Sequence, residues 1–133
     1  MELPLDLNQV TLPVRDLAAS IDFYRRFGLR RIVDSPATDY ARFEVTGGDA
    51  TLSIHVERAP VRGPRVAVYF EAADPDAVVA RLREAGIEPD APLGDRPWLW
   101  REAGFLDPSG NRLIVYRAGE SRKNPPWRVD AAS

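Results

Sequence analysis

Gln9-Val10-Thr11-Leu12-Pro13-Val14, followed by Arg15-Asp16-Leu17, is the stretch from which the fold is read. Val10, Leu12 and Val14 fall on one face of an extended chain, and Gln9, Thr11 and Pro13 on the other. The strand is expected over residues 7–14. Asp16 then offers a helix cap, Leu17, Ile21 and Tyr24 recur at helical spacing, and Gly28 is a natural stop. Residues 29–34 suit a short strand, and residues 35–39 a turn-rich loop. Residues 40–46 alternate again, with Phe43 and Val45 on one face. Gly47-Gly48-Asp49 reads as a hairpin turn. In residues 51–57, Leu52, Ile54 and Val56 oppose Thr51, Ser53, His55 and Glu57. The order is β-α-β-β-β.

The same order then returns. After a linker over residues 58–64, residues 65–71 form a strand with Val66, Val68 and Phe70 on one face. Asp74-Pro75 starts a helix, aspartate as cap and proline at its first position. Val78, Leu82 and Ala85 give its apolar stripe and Gly86 ends it. Residues 87–93 suit a proline-interrupted strand, residues 98–106 another, Asp107-Pro108-Ser109-Gly110 a turn and residues 111–117 the last strand. Two halves of about 55–60 residues amount to an internal repeat. The expected domain spans residues 1–118, with modules 7–57 and 65–117. Residues 119–133 form a polar, proline-rich tail, whose Trp127 should pack on its own domain or a dimer mate.

Bulk properties narrow the function. With 133 residues the chain suits one domain. It has no cysteine, which excludes disulfides, thiolate ligands and a cysteine nucleophile, and fits a cytoplasmic location. No apolar run is long enough to span a bilayer, and the N-terminus lacks the pattern of a signal peptide. A formal net charge of -2 argues against a nucleic-acid partner. Lys123 is the only lysine, which is read as genome composition.

Three stretches carry a resemblance: residues 7–17 with Ser20-Ile21-Asp22-Phe23-Tyr24 and Phe27-Gly28-Leu29; the helix end Leu82-Arg83-Glu84-Ala85-Gly86-Ile87; and Phe105-Leu106-Asp107-Pro108-Ser109-Gly110-Asn111-Arg112-Leu113. Together they resemble the vicinal oxygen chelate superfamily, the glyoxalase, bleomycin-resistance and extradiol-dioxygenase group. The resemblance implies an α+β fold of two βαβββ modules forming a curved half-barrel cup. It is weaker for function, because one fold hosts many chemistries. Superfamily members often hold a divalent metal in that cup, with ligands at positions matching Gln9, Arg65 and Ile114, and in glyoxalase I also Ser53.

Those residue types suit a metal poorly. Arginine has donors only, isoleucine has no donor atom, and serine is a poor ligand. No metal and no cofactor is therefore expected. His55, the only histidine, is read as a wall residue, although a shifted site of Gln9, His55 and a carboxylate such as Glu57 or Glu102 is conceivable. By alternation the cup is lined by Gln9, Thr11, Ser53, His55, Arg65, Tyr69, Trp100, Glu102, Arg112, Ile114 and Tyr116. Aromatic walls with a few placed polar groups suit a small molecule, and Arg65 or Arg112 suits an anion on it.

Three functions follow. The first is a metal-free, dimeric binder of an aromatic or anionic compound. The second is a lyase, isomerase or dioxygenase with a shifted metal site, or a metal-free acid-base catalyst built on His55. The third is a non-catalytic interaction domain whose cup is filled by its own side chains.

Overall fold

The structure, a computed structural model, describes residues 2, 4, 6–59 and 66–129. It divides into two compact units, Met1–Arg65 with Asp107–Asn111, and Val66–Leu106 with Arg112–Ser133.

The first unit contains β1 (Gln9–Val14), α1 (Leu17–Arg26), β2 (Arg30–Ser35), β3 (Tyr40–Glu44) and β4 (Thr51–Val56). Its sheet runs β1-β4-β3-β2, with β1 parallel to β4 and the other pairs antiparallel. Asp16 caps α1 as expected, accepting the Ala19 N–H at 3.0 Å. Gly28 takes the left-handed conformation (φ 97°) that closes a helix without a Cβ clash.

Leu17 and Ile21 are only half-buried. The buried stripe is Ser20, Phe23 and Tyr24, continued by Phe27. The helix is rotated from the expected facing because its aromatic side chains hold most of the area to be buried. Tyr24 packs on Phe43 with ring centroids 5.7 Å apart. Leu12, Val14, Ala41, Phe43, Leu52 and Ile54 on the same sheet face are all 3% exposed or less.

Ser20 Oγ lies in this core with no hydrogen-bond partner among the described residues. A buried hydroxyl without a partner is destabilising, and alanine is the better helix former. Ser20→Ala should therefore stabilise the fold by about 1 kcal/mol in urea unfolding. A loss of stability would mean that the hydroxyl has a partner after all.

The Asp107–Asn111 turn belongs to this first unit. Asp107 is buried and its carboxylate accepts four hydrogen bonds. The Tyr24 hydroxyl (2.7 Å) and Asn111 Nδ2 (2.8 Å) donate to one oxygen, and the N–H groups of Ser109 (2.9 Å) and Asn111 (2.8 Å) to the other. Asn111 Nδ2 also donates to the Pro13 carbonyl at 2.8 Å. Burial, and then the Asp107 charge, push the Tyr24 phenol far above its ordinary value.

The second unit contains β5 (Ala67–Glu71), α2 (Pro75–Glu84), β6 (Ala91–Asp95), β7 (Arg101–Leu106) and β8 (Arg112–Arg117), in sheet order β5-β8-β7-β6. Here β5 is parallel to β8 and the other pairs are antiparallel. Val79, Leu82 and Ile87 are buried, as are Ala103, Phe105, Leu113 and Val115 on one sheet face.

The largest departures from the expected strand bounds are the starts of β6 and β7, both of which come later. Ile87 closes the helix instead, with its N–H bonded to the Leu82 carbonyl (2.9 Å) and its side chain buried, while the Asp90 N–H already reaches the Gly104 carbonyl in β7 (2.9 Å). Residues 96–100 make the turn between β6 and β7. The Leu99 N–H reaches the Arg96 carbonyl (3.0 Å), and Leu99 itself sits at φ 68°. One outer strand of each sheet carries irregular pairing, between Arg31 and Val33 in β2 and between Ala91 and Gly94 in β6.

The expected loop over residues 35–39 holds a short 3-10 helix, Pro36–Thr38, and the tail opens with another, Gly119–Arg122. Glu71 accepts the N–H groups of Ala118 and Gly119, both at 2.9 Å. Burial opposes the charge on Glu71, but these two bonds and Arg122 hold its carboxyl below the ordinary value. Trp127 is 56% exposed, so the expected packing on its own domain is not found.

Candidate ligand-binding faces

Each sheet has one face against its helix and one free of it. On the helix-free face of the first sheet, the register places Gln9 beside Thr51 and Glu44, Thr11 beside Ser53 and Arg42, and Pro13 beside His55 and Tyr40. The expected residues Gln9, Thr11, Ser53 and His55 thus share a face. Gln9 Oε1 accepts from Thr51 Oγ1 at 2.9 Å. Ser53 is fully buried, with its hydroxyl 2.5 Å from the Tyr40 hydroxyl. His55 is exposed and makes no hydrogen bond to a described residue, so the expected hydrogen-bonded wall role is not seen.

Tyr40 and Arg42 were not singled out from the sequence. Their signal was present, because they alternate with Ala41 and Phe43 on β3. Arg42 Nε donates to the Tyr40 hydroxyl at 2.9 Å, and its guanidinium lies 5.5 Å from the Tyr40 ring centroid. Burial raises the Tyr40 phenol, but the Ser53 hydrogen bond and Arg42 lower it on balance.

On the helix-free face of the second sheet, Glu71, Tyr116 and Glu102 form one cross-strand row, and Tyr69, Ile114 and Gly104 the next. Tyr69, Trp100 and Tyr116 make a three-ring cluster. Trp100 is tilted on Tyr116 at 4.8 Å, and Tyr69 meets Tyr116 edge-on at 5.2 Å and Trp100 at 5.8 Å. Tyr116 is buried and its phenol is raised, by burial first and then by Glu71. Tyr69 is 47% exposed. Glu102 is buried and accepts from Trp98 Nε1 at 2.7 Å, a partner that sequence reasoning did not identify.

Two expected anion binders fare differently. Arg112 is paired with Asp90 at 2.7 Å and is not free for a ligand. Arg65 lies outside the described residues. A cavity of about 880 Å³ opens beside Trp100 and Leu99, and Arg101, Asp76 and Asp95 in its lining are matched to one another. There Arg101 makes two bonds to Asp76 (2.7 and 2.8 Å) and one to Asp95 (3.1 Å). The aromatic cluster, which presents Tyr69 to solvent and reaches this cavity through Trp100, is the better candidate, because stacking on it requires no ion pair to be broken.

A family model described as Glyoxalase/Bleomycin resistance protein/Dioxygenase superfamily matches residues 6–115. The chain belongs to this superfamily. Solved structures of the same fold include TioX from Micromonospora sp. ML1, 25% identical over 84% of this chain and 98% of that one, with a TM-score of 0.70. A glyoxalase/bleomycin resistance protein/dioxygenase from Nocardioides is 26% identical over 88% and 85%, TM-score 0.69. A lactoylglutathione lyase from Agrobacterium tumefaciens is 21% identical over 96% and 100%, TM-score 0.72, a likeness of fold alone. No curated protein matches the chain at a significant level.

The superfamily's metal positions do not fit a divalent ion here. Ile114 has no donor atom, and the Ser53 hydroxyl is held by Tyr40. The shifted arrangement is not assembled either. Gln9 pairs with Thr51 while His55 lies four residues further along β4, roughly 13 Å at strand rise. One ion's ligands lie within about 2.6 Å of it. Glu57 is exposed beyond the end of β4, and Glu102 is engaged by Trp98. Among the described residues, no three His, Asp or Glu side chains gather as a metal site.

Proposed function

We propose that this superfamily member is a metal-free binding protein for a small, flat organic molecule, held against Tyr69, Trp100 and Tyr116. The observation that carries this reading is the three-ring cluster on the sheet face opposite α2, where Trp100 Nε1 also donates to the Ser121 carbonyl of the short Gly119–Arg122 helix at 3.5 Å. Aromatic side chains in mutual edge and tilted contact are already ordered, so a ring-bearing ligand gains stacking area with little loss of side-chain entropy. Ile114 in the neighbouring row adds an apolar patch, while the Arg112–Asp90 pair lies over Gly104. The working protein is proposed to be one domain over residues 1–118, cytoplasmic and homodimeric, with Trp127 as a candidate contact to the second copy. The absence of cysteine fits that location, and among the described residues no helix is long and apolar enough to cross a membrane.

The enzymatic reading built on Gln9 and His55 lacks comparable support, since the register keeps the two apart. Two measurements test the proposal. In a tryptophan-fluorescence screen against aromatic acids and antibiotics, at least one compound should quench emission saturably. Elemental analysis of purified protein should find no stoichiometric Ni, Zn, Mn or Fe. A tightly held metal at one per chain, lost in His55→Ala, would restore the enzymatic reading. A screen with no saturable quencher would remove the binding one.

A further inference from the structure

The strongest unassigned feature is Arg42, at the centre of the first sheet's helix-free face. It is half-buried, yet it takes part in none of the ion pairs among the described residues. Neighbouring arginines behave differently. Arg30 pairs with Glu44 at 3.1 Å and Arg31 with Asp34 at 3.2 Å. Arg96, also half-buried without a carboxylate, gives one of its N–H groups to the Pro92 carbonyl at 2.8 Å. Arg42 uses only Nε, on Tyr40. The rest of its fork makes no hydrogen bond to a described residue.

A half-buried guanidinium without a counter-ion is unfavourable, since lost hydration is not replaced. Here the side chain is nonetheless held in place, by the Nε bond at one end and the Tyr40 ring beneath it. Tyr40 is in turn fixed by Ser53, which is fully buried. The result is a planar donor fork whose terminal nitrogens bond no described residue, on the sheet face opposite α1. That geometry matches the two oxygens of a carboxylate or phosphate.

We propose that Arg42, positioned by Tyr40 and Ser53, is an oxyanion-binding site for a small carboxylate or phosphate. The site goes beyond the aromatic face of the second unit, and the two can fail separately, because one is read at an arginine and the other by tryptophan emission.

The test uses the full chain and three probes: benzoate, inorganic phosphate and benzamide, the neutral isostere of benzoate. The Arg42 Nε–Hε signal in proton–nitrogen spectra is assigned by its absence in Arg42→Gln. It should shift saturably with benzoate or phosphate, and about tenfold or more weakly with benzamide. Whichever anion binds more tightly identifies the source. Signals of the rest of this face should respond to benzoate in Arg30→Gln but not in Arg42→Gln. Arg42→Lys should retain weakened binding, since a point charge replaces the fork. Should Arg42→Gln fail to fold, the Arg42→Lys chain and the benzoate–benzamide comparison still decide. The proposal is overturned by equal responses to benzoate and benzamide, by no saturable shift at tens of millimolar of either anion, or by selectivity that survives in Arg42→Gln.

Discussion

Tyr24→Phe should lower stability by about 2 kcal/mol, or roughly 6–10 °C in thermal midpoint for a chain of this size. The ring stays in its aromatic neighbourhood, so packing is nearly unchanged, and what is lost is the 2.7 Å bond to Asp107. Hydrogen bonds to a charged, buried group are worth more than neutral ones, and their loss leaves a carboxylate short of a donor. Asp107→Ala should be worse, about 3–5 kcal/mol, because it leaves the donors of Tyr24, Ser109 and Asn111 without their acceptor. Circular dichroism melts of the two variants check both values. If Tyr24→Phe melts within 1 °C of the parent, the Tyr24–Asp107 bond does not hold the turn.

Trp100→Ala should reduce affinity for the tightest quencher found in the fluorescence screen by about 30- to 150-fold, with the fold intact. The estimate combines roughly 80 Å² of apolar contact with ~1 kcal/mol from ring stacking, a total of about 2–3 kcal/mol. The effect reaches beyond the missing ring, because Trp100 also supports Tyr69 and Tyr116 at 5.8 and 4.8 Å. Calorimetry with the same compound measures it. Unchanged affinity would move the ligand off this cluster and leave the proposed function without its main support.

Much of this architecture is legible in the residues, for identifiable reasons. Asp16 and Asp74-Pro75 announce their helices because capping is a local matter between a side chain and an N–H three residues on. Strand facing is legible wherever polar and apolar residues alternate strictly, as in β1 and β4. What could not be read depends on partners distant in sequence. Nothing near Asp107 says that Tyr24 reaches it, and nothing near Arg112 announces Asp90. Arg112 therefore looked free when it was not, and Arg42 was overlooked although its lack of a carboxylate is what distinguishes it. The β6 boundary failed for another reason. Ile87 is apolar both for a strand and for a helix terminus, and only the hydrogen bond to Leu82 separates the two.

The irregular pairing in β2 and β6 bears on how copies of this chain can and cannot associate. An outermost strand with a straight ladder is a template on which another chain can continue the sheet. Here β2 slips register between Arg31 and Val33 and carries Arg30, Arg31 and Asp34, while β6 slips between Ala91 and Gly94 and includes Pro92, which has no N–H to offer. Neither margin presents a regular row of donors and acceptors. Lengthening either sheet across β2 or β6 is therefore disfavoured, and a copy that continued a sheet would have to do so at β1 or β5, the outermost strands whose pairing is uninterrupted.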